Sequence, residues 1–266
     1  MASGTAELVA DPDRADAYTL LLDGTPQSHV DLADPRRLEF EYVRHLAYAI
    51  DTLPDGPVAA LHLGGGGLTL PRYVSVTRPG SAQRVVEIDG PLVEWVRREL
   101  PLPRDCRPKI RVGDAREAVE SLRPNAFDVV IADVFAHAAT PPRLTTIEFV
   151  SAVRRLLAPG GIYLANVADG AGLRFARAQA ATVRAVFAET LLIADPGVLR
   201  GRRYGNLVLV AADRPLPEAE LTRRAAGDAF PARVVPGEAL AAFTGGAAPV
   251  TDESAVPQVA PRLFLR

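Results

Sequence analysis

The sequence predicts an α/β protein built on a mostly parallel sheet with helices on both faces. Three observations carry this. Short apolar runs alternate with amphipathic helical segments between residues 58 and 211, a pattern that sets strands side by side with helical crossovers between them. One run, Phe127 to Ala132, is nearly continuous in apolar character, as a strand covered on both faces must be. Four consecutive glycines, Gly64 to Gly67, follow directly on the first of these runs, where a strand turns sharply into a helix.

The elements follow in order. Tyr18 to Leu22 and Gln27 to Leu32 read as two strands, because the intervening Asp23-Gly24 is a hairpin signal. Leu38, Tyr42, His45, Leu46 and Ala49 recur at helical spacing and predict a helix over 38–53. Residues 17–53 thus form a small hairpin-and-helix module. The polar, acidic stretch 1–16 before it is expected to be disordered. Residues 54–213 form the main domain. Its first strand is Val58 to Leu63, followed by a helix from Leu70 towards Thr77. Arg84 to Ile88 is the second strand, with a helix around Pro91 to Leu100. Lys109 to Val112 is the third and Phe127 to Ala132 the fourth. Thr145 to Leu157 is an amphipathic helix stopped at Pro159-Gly160-Gly161. Gly161 to Val167 is the fifth strand and Leu173 to Phe187 a helix. Thr190 to Ala194 and Asn206 to Ala211 close a seven-stranded sheet as an antiparallel pair. Residues 214–266 are rich in proline, alanine and glycine, with short apolar runs at Ala232 to Val235 and Arg262 to Leu265. They are expected to form an irregular tail packed on the domain.

Composition narrows the function classes. A net charge of −2 argues against an electrostatic nucleic-acid binder or a basic membrane surface. Cys106 is the single cysteine, so neither an intrachain disulfide nor a cysteine zinc site can form. His29, His45, His62 and His137 show no ligand spacing, and no metal is expected. There is no basic-then-apolar leader, and no apolar run near the roughly 20 residues of a spanning helix. The expectation is a cytoplasmic protein with a small-molecule partner, without nucleic acid or membrane.

In parallel sheets ligands bind at the carboxyl ends of the strands. Gly64 to Gly67, Glu87 to Asp89, Asp114 and Asp133 all fall there. Consecutive glycines let a backbone approach a ligand closely and offer amide donors at a helix start. Glu87 lies about 20 residues on, where a carboxylate can accept both hydroxyls of a ribose. The pair points to an adenosine-containing cofactor. A dinucleotide fingerprint needs a third glycine where Thr69 stands, which disfavours NAD. Asp114 is open to two readings, contact with an adenine amino group or an N-cap for the next helix. Asp133 can orient or deprotonate a nucleophile, or serve as an ion-pair partner or cap. For Gln27, Tyr42 and His45 taken singly, packing or surface polarity is the plain reading. Arg72 reads as a solvated or ion-paired charge.

Taken together, these residues resemble the spermidine synthase family of polyamine aminopropyltransferases, from about Tyr18 to Ala211. Leu22-Asp23-Gly24 with Gln27 is similar to its opening hairpin motif, and Phe40 to His45 to its tyrosine-bearing helix. Gly64-Gly65-Gly66 is similar to the start of its G-G-G-D-G loop. Glu87-Ile88-Asp89, Val112-Gly113-Asp114 and Asp128 to Asp133 are similar to its successive strand-end motifs. The resemblance implies a Rossmann-like class I methyltransferase fold and a donor, S-adenosylmethionine or its decarboxylated form, without metal. It implies aminopropyl transfer to an amine, with release of methylthioadenosine. Cofactor contacts would come from Gly64, Gly65, Gly66, Glu87, Asp114, Ala115 and Gln27. Asp133 would be the catalytic aspartate, and Tyr42 and His45 would line the acceptor pocket. A homodimer is expected, with the N-terminal hairpin as a contact element.

Two positions depart from the family pattern. Gly67 replaces the loop aspartate, and Ala136 replaces the second aspartate of D-S-x-D. Both carboxylates hold cationic amine groups in the family, so an altered, more apolar acceptor pocket with Val134, Phe135 and His137 is expected. A methyltransferase on a less cationic substrate is the alternative reading. A nucleoside-binding protein without catalysis is the second.

Overall fold

The computed structural model describes residues 4–136 and 139–258. The chain opens with a three-stranded antiparallel sheet of β1 (Ala6–Ala10), β2 (Ala17–Leu22) and β3 (Thr25–Asp31), in that order. Asp23 and Gly24 both take positive φ, 49° and 75°, which matches the turn twist to the strand twist. β1 corrects the expected disorder of residues 1–16. Ala6 and Leu8 face inward against the cluster around Leu20, and β1 covers an edge of β2 that would otherwise be unpaired. Asp23 fixes its start by accepting from the Thr5 amide at 2.8 Å.

After α1 (Glu41–Asp51) comes the main sheet, of β4 (Ala59–Leu63), β5 (Ala82–Glu87), β6 (Lys109–Val112), β7 (Phe127–Ala132), β8 (Leu157–Asp169), β9 (Glu189–Ala194), β10 (Gly205–Ala212) and β11 (Arg233–Pro236). Its order is β11-β9-β10-β8-β7-β4-β5-β6. β8, β7, β4, β5 and β6 are mutually parallel, whereas β10 pairs antiparallel with both β8 and β9. The crossovers are α2 (Thr69–Thr77), α3 (Gly90–Glu99), α4 (Ala115–Ser121), α5 (Ile147–Leu156), α6 (Arg174–Val186) and the short α7 (Pro196–Leu199). α5 ends at Leu156, so Pro159-Gly160-Gly161 does not stop it. Those residues lie inside β8, where a register shift opposite Phe127 to Val129 absorbs them.

The sheet therefore has eight strands, not seven. β11 is the eighth, with α8 (Glu218–Ala226) and α9 (Gly237–Thr244) on either side of it in the chain. The tail is thus regular up to residue 244. Leu221 and Ala225 of α8 and Leu240 of α9 bury the apolar faces that hold these helices to the sheet. Beyond them the chain is pinned by polar contacts. Val250 bonds Ile147 and Thr182, Asp252 receives both Nη atoms of Arg116, and Gln258 bridges Thr140 and Ala168. His137 and the run Arg262 to Leu265 lie outside the described residues.

One face of the sheet packs on α4, α5, α6 and α9, the other on α1, α2 and α8. The small sheet packs with α3 against β5. It comes to rest beside the glycine loop that follows β4.

Candidate active site

Gly64 takes φ +88°, and a Cβ there would lie 2.1 Å from the backbone oxygen of Asp133. The ends of β4 and β7 therefore meet with no room for a side chain. The loop amides are all engaged. Gly64 N–H donates to Val86 O at 2.9 Å. The amides of Gly65 and Gly66 donate to Glu87 Oε2 at 2.7 and 3.4 Å, and that of Gly67 to Ser28 Oγ at 2.9 Å. This corrects the expectation of free amide donors: the loop offers close approach, not an anion cradle. β3 also occupies the place of the family's loop aspartate. A Cβ on Gly67 would lie 2.9 Å from Val30 Cγ2 and 3.0 Å from Ser28 Cβ.

Arg72, expected as a solvated or ion-paired charge, is 1% exposed and bonded to backbone carbonyls. Its guanidinium donates to the carbonyls of Pro101 and Leu100 and, at 3.4 Å, to that of Gly67. Burial lowers its pKa to about 10. The fork thus ties the loop to the chain after α3, which a point charge cannot do. Arg72→Lys is expected to destabilise the protein by about 2 kcal/mol through unmade buried hydrogen bonds. The check is a lower urea midpoint with an unchanged slope, and an unchanged midpoint would refute the clamp.

Glu87 ends β5 half-buried, with Oε1 accepting from the Asp89 amide at 3.1 Å. Asp89 caps α3 through Leu92 N–H. Asp114 caps α4 by accepting from Glu117 N–H at 3.0 Å, and Ala115 is the buried first residue of that helix. The cap reading of Asp114 is therefore realised. Ile88 is 64% and Val112 55% exposed. These two large apolar side chains stand at neighbouring strand ends, since Glu87 pairs with Val112.

Pairing of Ala132 with Ala165 brings Asp133 beside Asn166. Asn166 Nδ2 donates to Asp133 Oδ1 at 2.8 Å, and the Tyr42 hydroxyl faces the same carboxylate as a hydrogen-bond donor. Burial pushes Asp133 up to about 6 against the lowering effect of these two donors. Burial and the carboxylate together push Tyr42 well above its ordinary value. Asn166 was missed in the sequence. Its signal is one polar residue within the apolar run Tyr163 to Ala168, and its Oδ1 is buried without a partner among the described residues.

Of the other candidates, Gln27 is the extra residue of a bulge, since Leu20 pairs with Ser28 and Leu21 with Pro26. A bulge re-aims a side chain, and the side chain of Gln27 makes no hydrogen bond among the described residues. His45 is 2% exposed, with neither ring nitrogen hydrogen-bonded. Burial lowers it to about 4, and the charges around it are Asp228, Arg44 and Asp195. Its ring lies 6.2 Å from that of Tyr48. A cleft of about 420 Å³ lined by Arg154, Gly160 and Asp213 holds none of the candidate residues. Among the described residues no helix is long and apolar enough to cross a membrane.

This sheet, glycine loop and pair of strand-end carboxylates define a protein of the spermidine synthase and methyltransferase-like fold. Human methyltransferase-like protein 13, solved in complex with SAH, shares that fold at 21% identity, with a TM-score of 0.57 over 80% of this chain and 96% of that one. Residues 38–172, just over half the chain, match the spermine/spermidine synthase domain. The chain belongs to the spermine/spermidine synthase family. A probable spermidine synthase from Corynebacterium glutamicum is 39% identical, with a TM-score of 0.87 over 96% of this chain and 95% of that one. The polyamine aminopropyltransferase of Vibrio vulnificus is 26% identical over 193 residues, covering 72% of this chain and 62% of that protein. The chain thus spans less than two thirds of that relative's length.

Proposed function

We propose that the protein is a transferase that takes decarboxylated S-adenosylmethionine as donor and moves its aminopropyl group to an amine. The observation that carries this reading is Asp133, a carboxylate with a raised pKa, held by Asn166 and Tyr42 against the glycine loop. Glu87 would receive the ribose hydroxyls, Ile88 and Val112 would flank the purine, and Asp114 and Ala115 would border it. Asp133 would take a proton from the acceptor's ammonium. The freed nitrogen lone pair would attack the aminopropyl methylene carbon attached to sulfur. As the new C–N bond forms, the C–S bond breaks and its electron pair stays on sulfur, releasing the neutral thioether methylthioadenosine. Positioning supplies most of the rate in such a displacement. The engaged loop amides favour the decarboxylated donor, because a donor carboxylate would find none of the Gly64 to Gly67 amides free.

Methyl transfer is the second reading, favoured by Gly67 and Ala136, which leave fewer anionic partners for amines. A cytoplasmic location and a homodimer accompany the first reading through the family resemblance. Calorimetry with decarboxylated S-adenosylmethionine, S-adenosylmethionine and methylthioadenosine tests the proposal. The first and third are expected to bind, and Glu87→Gln to weaken both at least tenfold, about 1.4 kcal/mol. Preference for S-adenosylmethionine would shift the reading to methyl transfer. Absence of binding would end both.

A further inference from the structure

The carboxylates at the strand ends are almost all committed. Glu87 receives the amides of Gly65, Gly66 and Asp89. Asp169 receives those of Gly170 and Ala176 at 2.7 and 2.8 Å. Asp195 takes two amides of α7 and Arg203 Nε, and Glu41 is paired with the same arginine at 3.1 Å. Asp133 is held by the neutral side chains of Asn166 and Tyr42. The two further anions of the family pattern are absent, and β3 fills the space of one of them at Gly67.

The second observation is Asn166 Oδ1, a buried acceptor with no partner among the described residues. It belongs to the same amide whose nitrogen holds Asp133. An incoming nitrogen that gives one proton to Asp133 keeps others, and one N–H can be taken by this oxygen. Beyond this polar head the chain continues through Val134 and Phe135, both half-buried and apolar. A second ammonium on the acceptor would lie along these apolar side chains without the two carboxylates of the family pattern, and leaving such a charge unpaired out of water is costly.

We infer, granting the aminopropyl-transfer reading, that the acceptor is a primary monoamine. Its single nitrogen is received by Asp133 and Asn166, and the rest of the molecule is uncharged. The protein would thus differ from a diamine-using transferase in the charge of its acceptor and not in its chemistry.

The experiment compares amines of equal chain length with decarboxylated S-adenosylmethionine as donor, reading methylthioadenosine release by chromatography. n-Pentylamine is set against 1,5-diaminopentane, and n-butylamine against 1,4-diaminobutane. The monoamine of each pair is expected to show at least tenfold higher kcat/KM. Ala136→Asp, at an exposed position, returns one missing anion and is expected to shift this ratio at least fivefold towards the diamine. A wild-type preference for diamines, or a ratio unmoved by Ala136→Asp, would overturn the inference while leaving aminopropyl transfer intact. Release with neither amine class would overturn the transfer reading, and the inference with it.

Discussion

Asp133→Asn is expected to lower turnover by about 10³-fold while leaving the protein at least as stable as the parent. The loss follows from removing the group that takes the acceptor's proton, a role worth about 10²- to 10⁴-fold. The amide can still bond Asn166 or Tyr42, so the local packing survives. The pH dependence has a definite sign. The carboxylate must be ionised to accept a proton, and burial holds its pKa near 6. The wild-type rate should therefore rise from pH 5 and level off above about 6.5, and the variant's residual rate should lack that limb. Stability runs the other way. A carboxyl whose pKa is raised on folding contributes stability below its unfolded value, and that contribution is lost as pH climbs through 6. Above that point the wild type carries a cost on the order of 1–3 kcal/mol that the amide avoids. Thermal melts at pH 5 and pH 8 should show the variant's advantage growing at the higher pH. A rate flat across pH 5–7, or full activity in the Asp133→Asn variant, would remove Asp133 from the chemistry.

Gly64→Ala should be the most damaging single-methyl change in the loop, at about 3 kcal/mol or more. Two costs add. The residue sits at φ +88°, where an L side chain is strained. Its Cβ would also lie 2.1 Å from a backbone oxygen, so β4 or β7 must shift rather than a flexible side chain. The oxygen belongs to Asp133, so the shift displaces the carboxylate and activity falls with stability. Gly65→Ala is the internal comparison. Its φ is not positive, and its nearest neighbour would be Val85 Cγ1 at 3.2 Å. Denaturant midpoints of the two variants should differ by the equivalent of more than about 1.5 kcal/mol, and equal midpoints would refute the argument.

The strand ends were legible because the physics that marks them is local. Gly64 to Gly67, Glu87, Asp114 and Asp133 each fall at or just after the end of a predicted strand, and each lies at the carboxyl edge of the sheet. What escaped depends on distant partners. β1 is five residues that become a strand only against the edge of β2, and β11 is four residues that become a strand only against β9. Arg72 looks like any surface arginine, because its three carbonyl partners lie outside its own helix. The glycine amides could be counted from the sequence, but not seen to be taken by Glu87 and Ser28. Tyr42 and Asp133 stand far apart in the chain and were joined in advance only through the resemblance. Asn166 had neither a motif nor a periodicity to announce it.

The position of β4 has a consequence for how the chain is made. Its partner on one side, β5, follows within about 20 residues, but its partner on the other side is β7. Ala59 and Asp128, which bond across that junction, are 69 residues apart. During synthesis β4 therefore leaves the ribosome with one flank open, and that flank stays unpaired until the fourth strand of the sheet emerges. The loop-closure entropy of so long an interval makes this pairing a late and slow event. Until it occurs the apolar run Val58 to Leu63 is an exposed sticky edge, of the kind chaperones recognise. A strand buried between two neighbours in the finished sheet is thus an open edge in the nascent chain.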